Sequence, residues 1–264
     1  MRITNLMNYP QIDPVLLHLG PIQIRWYGLM YVIGFVVAYF VILRIIRLRK
    51  EDLTRQDVED GLAYCILGLI IGARLGYCLF YNFDFYLHNP LKIFAVWQGG
   101  MSFHGGLIGV CLAGWLFTLQ RKISFWLAAD LGAIAAPPGL FFGRLGNFIN
   151  AELYGRVTDV PWGMVFPGGG PDPRHPSQLY EAFLEGFVIF LIMYVLGTRI
   201  RTHGHLLALF LLLYGIFRFI LEFFREPDPQ LGFVLGSFSM GQILCFGMII
   251  FGIGLFLRLK STAK

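Results

Sequence analysis

Seven long apolar runs divide this chain, at residues 22–43, 61–81, 97–118, 126–143, 179–197, 205–224 and 239–257. Each approaches the roughly 20 residues that a helix needs to cross the hydrocarbon core of a bilayer. Within hydrocarbon every backbone N–H and C=O must find a partner inside the protein, which leaves helices or closed barrels. Runs of this length select helices. With 56% of its 264 residues hydrophobic and 14% charged, the chain also has too little polar surface for a water-soluble domain. The sequence therefore predicts an all-α, polytopic integral membrane protein: one transmembrane domain, 1–264, with seven spans.

An odd number of spans places the termini on opposite sides, and the lysines and arginines of the connections assign those sides. One set of connections holds 12 of them: Arg44, Arg47, Arg49, Lys50, Arg55, Arg121, Lys122, Arg199, Arg201, Arg258, Lys260 and Lys264. The other holds 6: Arg2, Lys92, Arg144, Arg156, Arg174 and Arg225. The richer set is expected to be cytoplasmic, with the amino terminus outside and the carboxyl terminus inside. The net charge of +5 is scattered between apolar runs, so it suits lipid and membrane orientation and not a nucleic-acid surface.

Other signals are expected to be structural. Cys65, Cys78, Cys111 and Cys245 lie in apolar runs without CxxC spacing and read as packing residues. His203 and His205 have no third ligand beside them, so no metal site is expected. The opening MRITNLMNYPQIDPVLLHLG has no apolar core long enough for a cleaved signal peptide.

Arg25, Arg74 and Arg218 fall inside apolar runs, Arg144 ends one, and His104 lies near the start of another. On the assigned topology all five sit toward the outer leaflet. Charged groups in a membrane are costly and mark functional sites by default, and basic pockets between helices bind phospholipid headgroups. A shared polar cavity is the expectation. Arg218 and Glu222 have the spacing of an ion pair on one helix face. A guanidinium held by a carboxylate is an oriented receptor for two phosphate oxygens, and Tyr214, one turn earlier, adds a hydroxyl. His104, followed by Gly105 and Gly106, is a candidate proton acceptor or substrate contact. Residues 144–178 are too polar and too rich in glycine and proline to span, so an outer-face loop is expected from Arg144 onward. Pro137 and Pro138 are expected to break the helix before it and open a cavity mouth.

The run GRLGNFINAELYGR, with FHGG at 103–106, HPSQLYE at 175–181 and RFILEFFREPD at 218–228, resembles the bacterial prolipoprotein diacylglyceryl transferase family. The resemblance covers nearly the whole chain with its motifs in family order, although many members have glycine where this chain has Ala151. It implies a cytoplasmic-membrane transferase, with the 144–178 loop periplasmic and the active site toward the outer leaflet. Such an enzyme moves the diacylglyceryl group of phosphatidylglycerol to the lipobox cysteine of an exported preprolipoprotein and releases glycerol phosphate. It further implies that Arg144 and Arg218 bind phospholipid and that His104 and Tyr27 are needed for activity. Asn147, Glu152, Gly155 and Glu222 would shape the site, and no metal or organic cofactor is implied. Helix face and shared depth, independently of the resemblance, add Tyr214 and Arg74 to the expected substrate contacts. A phospholipid transporter or scramblase would also use intramembrane arginines and broken helices, but no inverted halves are visible beyond a short G-x-R-L-G echo. An intramembrane protease would need a serine–histidine, aspartate-pair or HExxH arrangement, and none stands in a suitable span.

Overall fold

The computed structural model describes residues 7–20, 22–226, 233–235 and 238–262. Arg2, Lys264 and the end of the RFILEFFREPD motif lie outside them. In chain order the elements are β1 (Met7–Asn8), β2 (Val15–Leu19), β3 (Ile22–Arg25), α1 (Trp26–Arg49), α2 (Arg55–Phe80), α3 (Phe83–His88), α4 (Phe103–Arg121) and α5 (Phe125–Ile149). Then follow β4 (Met164–Val165), α6 (Ser177–Glu181), a π-helical turn (Ala182–Val188), α7 (Ile189–Gly197), α8 (His205–Leu221), β5 (Phe233–Leu235), β6 (Phe238–Ser239) and α9 (Met240–Thr262). Among the described residues the strands form three short two-stranded pairs, so the protein is mostly helical.

Among the described residues six helices are long and apolar enough to cross a membrane: α1, α2, α4, α5, the continuous Ser177–Gly197 helix and α9. α8 is apolar but only 17 residues long. Large apolar side chains such as Phe40 (63% exposed), Phe251 (63%) and Phe246 (60%) face outward. A water-soluble surface rarely carries so much of this, and a lipid-facing one requires it. The chain is a multi-pass integral membrane protein.

Helix bounds differ from the apolar runs for local reasons. The third run begins at 97, yet Val96–Gln98 is a 3₁₀ turn, Gly99 and Gly100 take positive φ (82° and 77°), and Ser102 caps α4 by accepting from Gly105 N. Arg25 is not in a span: it closes β3 and is exposed. Helix α5 does not break at Pro137 and Pro138, both of which lie inside it. Two missing N–H donors free only two carbonyls, and the flanking ladder carries the helix through. The same helix continues past Arg144 and Asn147, so the polar loop starts after Ile149 and not at Arg144.

The chain forms two compact units, residues 1–49 with 130–264, and residues 50–129. In the 50–129 unit, α2 and α4 meet along Gly68, Gly72 and Gly76 on one side and Gly105 and Gly109 on the other. A Cβ on Gly72 would lie 2.3 Å from the Gly105 carbonyl oxygen. Such small-residue seams let membrane helices touch backbone to backbone, where dispersion and not hydrophobicity drives association. Thr54 and Asp57 form a reciprocal cap at the start of α2, and at that same end of the antiparallel pair Arg121, closing α4, pairs with Asp60.

In the larger unit, the fully buried Asp130 of α5 accepts from Gly204 N and Leu207 N, both at 2.8 Å. A carboxylate thereby satisfies the free N–H groups at the start of α8. At the far end of α5 the Tyr9 hydroxyl lies 2.7 and 2.8 Å from the carbonyl oxygens of Phe148 and Ile149. β1 pairs with β4, and the Tyr9, Phe148, Tyr154 and Phe166 rings pack together. These contacts anchor the 150–176 segment to the end of α5.

Candidate active site

Three helices of the larger unit bring opposite charges together. Arg144 stands in the final turns of α5, Glu181 ends α6, Glu185 lies in the π turn, Arg218 is in the last turn of α8, and Glu222 and Arg225 follow it. Glu181 Oε2 pairs with two guanidiniums at once: it accepts from Arg218 Nη1 at 3.0 Å and lies 2.7 Å from Arg144 Nε, while its Oε1 lies 3.5 Å from Arg225 Nη1. Arg218 Nη2 reaches Glu222 Oε2 at 3.0 Å, which is the ion pair expected from the spacing. Ser239 Oγ donates to the other Glu222 oxygen at 2.9 Å. Glu185 stands off, with its oxygens 3.6 Å from Arg218 Nη1 and 4.0 Å from Arg144 Nη2.

Glu181 and Glu185 are 1% and 0% exposed, whereas the Arg144 and Arg218 side chains retain 17% and 14%. The carboxylates thus form the floor and the guanidiniums face outward. A buried ion-pair network seldom stabilises a fold more than apolar packing would, so its presence points to function. The π turn supports this, since such turns inside helices frequently mark functional sites.

The GRLGNFINAELYGR motif builds the adjacent wall. Asn147 Nδ2 donates to Glu152 Oε1 at 2.7 Å, and its Oδ1 lies 3.5 Å from Arg144 Nη1. Tyr27 shares a hydroxyl contact of 3.1 Å with Tyr31 and has Asn147 and Glu152 as polar neighbours. Gly146 permits this approach, because a Cβ there would meet the Tyr27 ring at 2.9 Å. Ala151 and Leu153 take left-handed backbone (φ 53° and 59°), a strained state for residues with a Cβ. Gln178 Nε2 donates to Glu152 O at 2.7 Å, tying this strained turn to the helix of Glu181.

Gly155 is where two other segments converge. Its N–H donates to His175 O at 2.8 Å, Arg156 N–H donates to Phe224 O at 3.0 Å, and a Cβ on Gly155 would sit 2.3 Å from Phe224 O. Arg156 Nε donates to Arg225 O at 2.7 Å. The loop therefore fixes the backbone that carries Arg225. Burial holds the His175 imidazole below its ordinary pKa, so it is neutral near pH 7 in its packing against Phe224 and Tyr180.

Arg144, Asn147, Glu152, Gly155, Tyr214, Arg218, Glu222 and Tyr27 all belong to this unit, and Tyr214 has Glu185 and both arginines as electrostatic neighbours. Arg74 is a correction to the expected set of substrate contacts. Its five N–H donors are spent on five backbone carbonyls, those of Lys92, Ile93, Ala95, Gly99 and Gly100, and the residue is 3% exposed. No donor is left for a phosphate. The guanidinium instead organises the 92–100 segment, and Ala73 O accepts from Ser102 N just before α4. Replacing Arg74 with lysine is expected to loosen that segment, because three rotatable donors cannot serve five carbonyls. Limited proteolysis should show faster cleavage between residues 92 and 100, while the affinity for anionic lipid stays near wild type. His104 occupies the first turn of α4 and is exposed.

Glu181, Glu185 and Arg225 escaped the sequence reading. A signal was available: LYEAFLEG places two glutamates one helical turn apart in an apolar run, and carboxylates are as costly there as arginines.

Fold and site together define a multi-pass membrane protein with a partly exposed arginine pair seated on buried carboxylates. The family model for prolipoprotein diacylglyceryl transferase matches residues 14–258. The phosphatidylglycerol--prolipoprotein diacylglyceryl transferase of Geobacter sulfurreducens is 59% identical over 247 residues, covering 94% of this chain and 95% of that protein. The proteins of the same name from Photobacterium profundum and Nitratidesulfovibrio vulgaris strain DP4 are 54% and 52% identical, over 93% and 95% of this chain and 92% and 95% of their own lengths. The chain belongs to the prolipoprotein diacylglyceryl transferase family.

Proposed function

We propose that this chain transfers the diacylglyceryl group of phosphatidylglycerol to the lipobox cysteine thiol of preprolipoproteins, forming a thioether and releasing glycerol 1-phosphate. The observation that carries the reading is Arg144 and Arg218 converging on one oxygen of Glu181 while both stay partly exposed. Sulfur attacks the glyceryl carbon that bears the phosphate ester. The C–O bond breaks with its electron pair going to the phosphate oxygen, where two fixed guanidiniums stabilise the charge in a water-poor setting. Glu181 and Glu222 hold those guanidiniums in orientation, so little reorganisation accompanies the reaction. Asn147, braced by Glu152, borders Arg144, with Tyr27 beside it and Tyr214 near both arginines. The family resemblance makes His104 a residue needed for activity, and an imidazole is the candidate group to take the thiol proton.

The full chain acts in this reading as a single transmembrane domain of the cytoplasmic membrane. α8 serves as a seventh span, the amino terminus is outside and the carboxyl terminus inside, and the 150–178 segment is periplasmic, beside an outer-leaflet site. The lysine and arginine asymmetry supports that orientation. In a background without the four native cysteines, a cysteine at Asp172 is expected to react with impermeant maleimide in cells with a permeabilised outer membrane, and one at Glu51 is not. Labelling at Glu51 alone would reverse the topology.

Incubating the purified protein with phosphatidylglycerol and a lipobox peptide tests the activity. A peptide mass increase equal to the diacylglyceryl group supports the transferase. Lipid moved across vesicles without a peptide adduct would support a transporter or scramblase instead, and a cleaved peptide a protease.

A further inference from the structure

We propose that Glu185 is the proton-holding residue of this site: it takes up a proton when a phospholipid phosphate docks on Arg144 and Arg218, and yields it to the departing phosphate. The identity of the ligand rests on the transferase reading above. Arg144, Arg218 and Arg225 are already matched by Glu181, Glu185 and Glu222, so the cluster is compensated before any lipid arrives. A phosphodiester brings one more negative charge into a region with buried walls, where an uncompensated charge is costly. Protonating one carboxylate removes the excess.

The contacts select which one. Glu181 lies within 3.5 Å of three guanidiniums. Glu222 has Arg218 at 3.0 Å and the Ser239 hydroxyl at 2.9 Å. Glu185 is 0% exposed, its nearest guanidinium nitrogens are 3.6 and 4.0 Å away, and neither of its oxygens has a hydrogen bond. It is the least stabilised anion of the three and the first to accept a proton. The titratable and charged groups around it are Glu181 on its own helix, Arg144 on α5, Tyr214 and Arg218 on α8, Arg225 beyond α8, and Cys245 on α9. Among these, only Glu181 is another carboxylate, and a docked phosphate draws on the same two arginines that hold it.

The proton balance closes. Binding takes one proton from water onto Glu185. The S–C bond forms, the C–O bond breaks toward phosphate, and the thiol proton leaves through the base to water. The leaving phosphomonoester, whose second pKa is about 6, can now accept the Glu185 proton and carry it away. Glu185 returns to the anion, and the three-to-three match is restored.

Calorimetric titration of the purified full chain with short-chain phosphatidylglycerol, without peptide, in two buffers of different ionisation heat measures proton uptake directly. The wild type is expected to take up about one proton per lipid near pH 7. Glu185→Gln, which resembles the protonated state, is expected to bind lipid and take up none. In turnover, KM for the lipid should rise with pH in the wild type, because proton-coupled binding weakens as protons become scarce, and should stay flat in Glu185→Gln. Binding by the wild type without proton uptake, absence of lipid binding, or unchanged uptake in Glu185→Gln overturns the proposal. The wild-type measurement is decisive by itself if the variant does not fold. Lipid binding with proton uptake but no thioether product would sink the transferase reading and, with it, the release of the proton to a departing phosphate, while leaving Glu185 as the group that takes up a proton on binding.

Discussion

Replacing Arg144 or Arg218 with alanine is expected to reduce thioether formation by on the order of 100- to 1000-fold, the scale seen when one donor to a developing oxyanion is removed. Each guanidinium has two tasks. It neutralises Glu181, and in the proposed reaction it also offers N–H groups to the phosphate. Alanine removes both, so a lysine variant separates them: the charge beside Glu181 stays, while the planar two-donor geometry is lost. Arg144→Lys and Arg218→Lys should therefore insert and purify like the wild type and still be strongly impaired. Initial rates with a fixed lipobox peptide and varied phosphatidylglycerol provide the measurement. Near-normal turnover in either lysine variant would mean that these positions supply only diffuse positive charge.

His104→Gln is expected to lose on the order of 100-fold in rate or more, the contribution of a positioned general base, while phosphatidylglycerol binding persists. Raising the pH should partly restore the variant, because the free cysteine pKa lies near 8.5 and more of the peptide then ionises without help. A pH series of transfer rates, beside a lipid-binding isotherm for wild type and variant, decides the matter. Weak lipid binding with a flat pH response would assign His104 to lipid contact and leave the arginine pair as the main catalytic groups. Comparing this series with that of Glu185→Gln keeps the two proposed proton sites apart, since one is expected to act on the thiol and the other on the phosphate.

Length and hydropathy alone were enough for a helical membrane protein, because a bilayer core admits few backbone solutions and runs of this size have one. The Arg218–Glu222 pair was legible for a similar reason, since residues one turn apart on a helix must face the same way. Arg144 stood out as a charge ending an apolar run, whereas Asn147, Glu152 and Gly155 were legible only as members of a motif. Their contacts depended on where α5 ends, and Pro137 and Pro138 misled that reading because the helix runs through them to Ile149.

Arg74 and Glu181 mark the boundary of what a sequence can say. Both are charged residues in apolar runs, and local pattern gives them equal standing as site candidates. Tertiary structure separates them: the turn at 92–100 folds back and saturates every donor of Arg74, while α5 and α8 deliver two arginines from distant positions to Glu181. What the amino-acid sequence determined by itself was whatever follows from short-range geometry and the demands of hydrocarbon: helices, their approximate spans, and pairs within one turn. Which buried charges are used up in holding the backbone, and which remain partly open to a ligand, was decided by tertiary structure, because a hydrogen bond between residues far apart in the chain leaves no trace in local spacing.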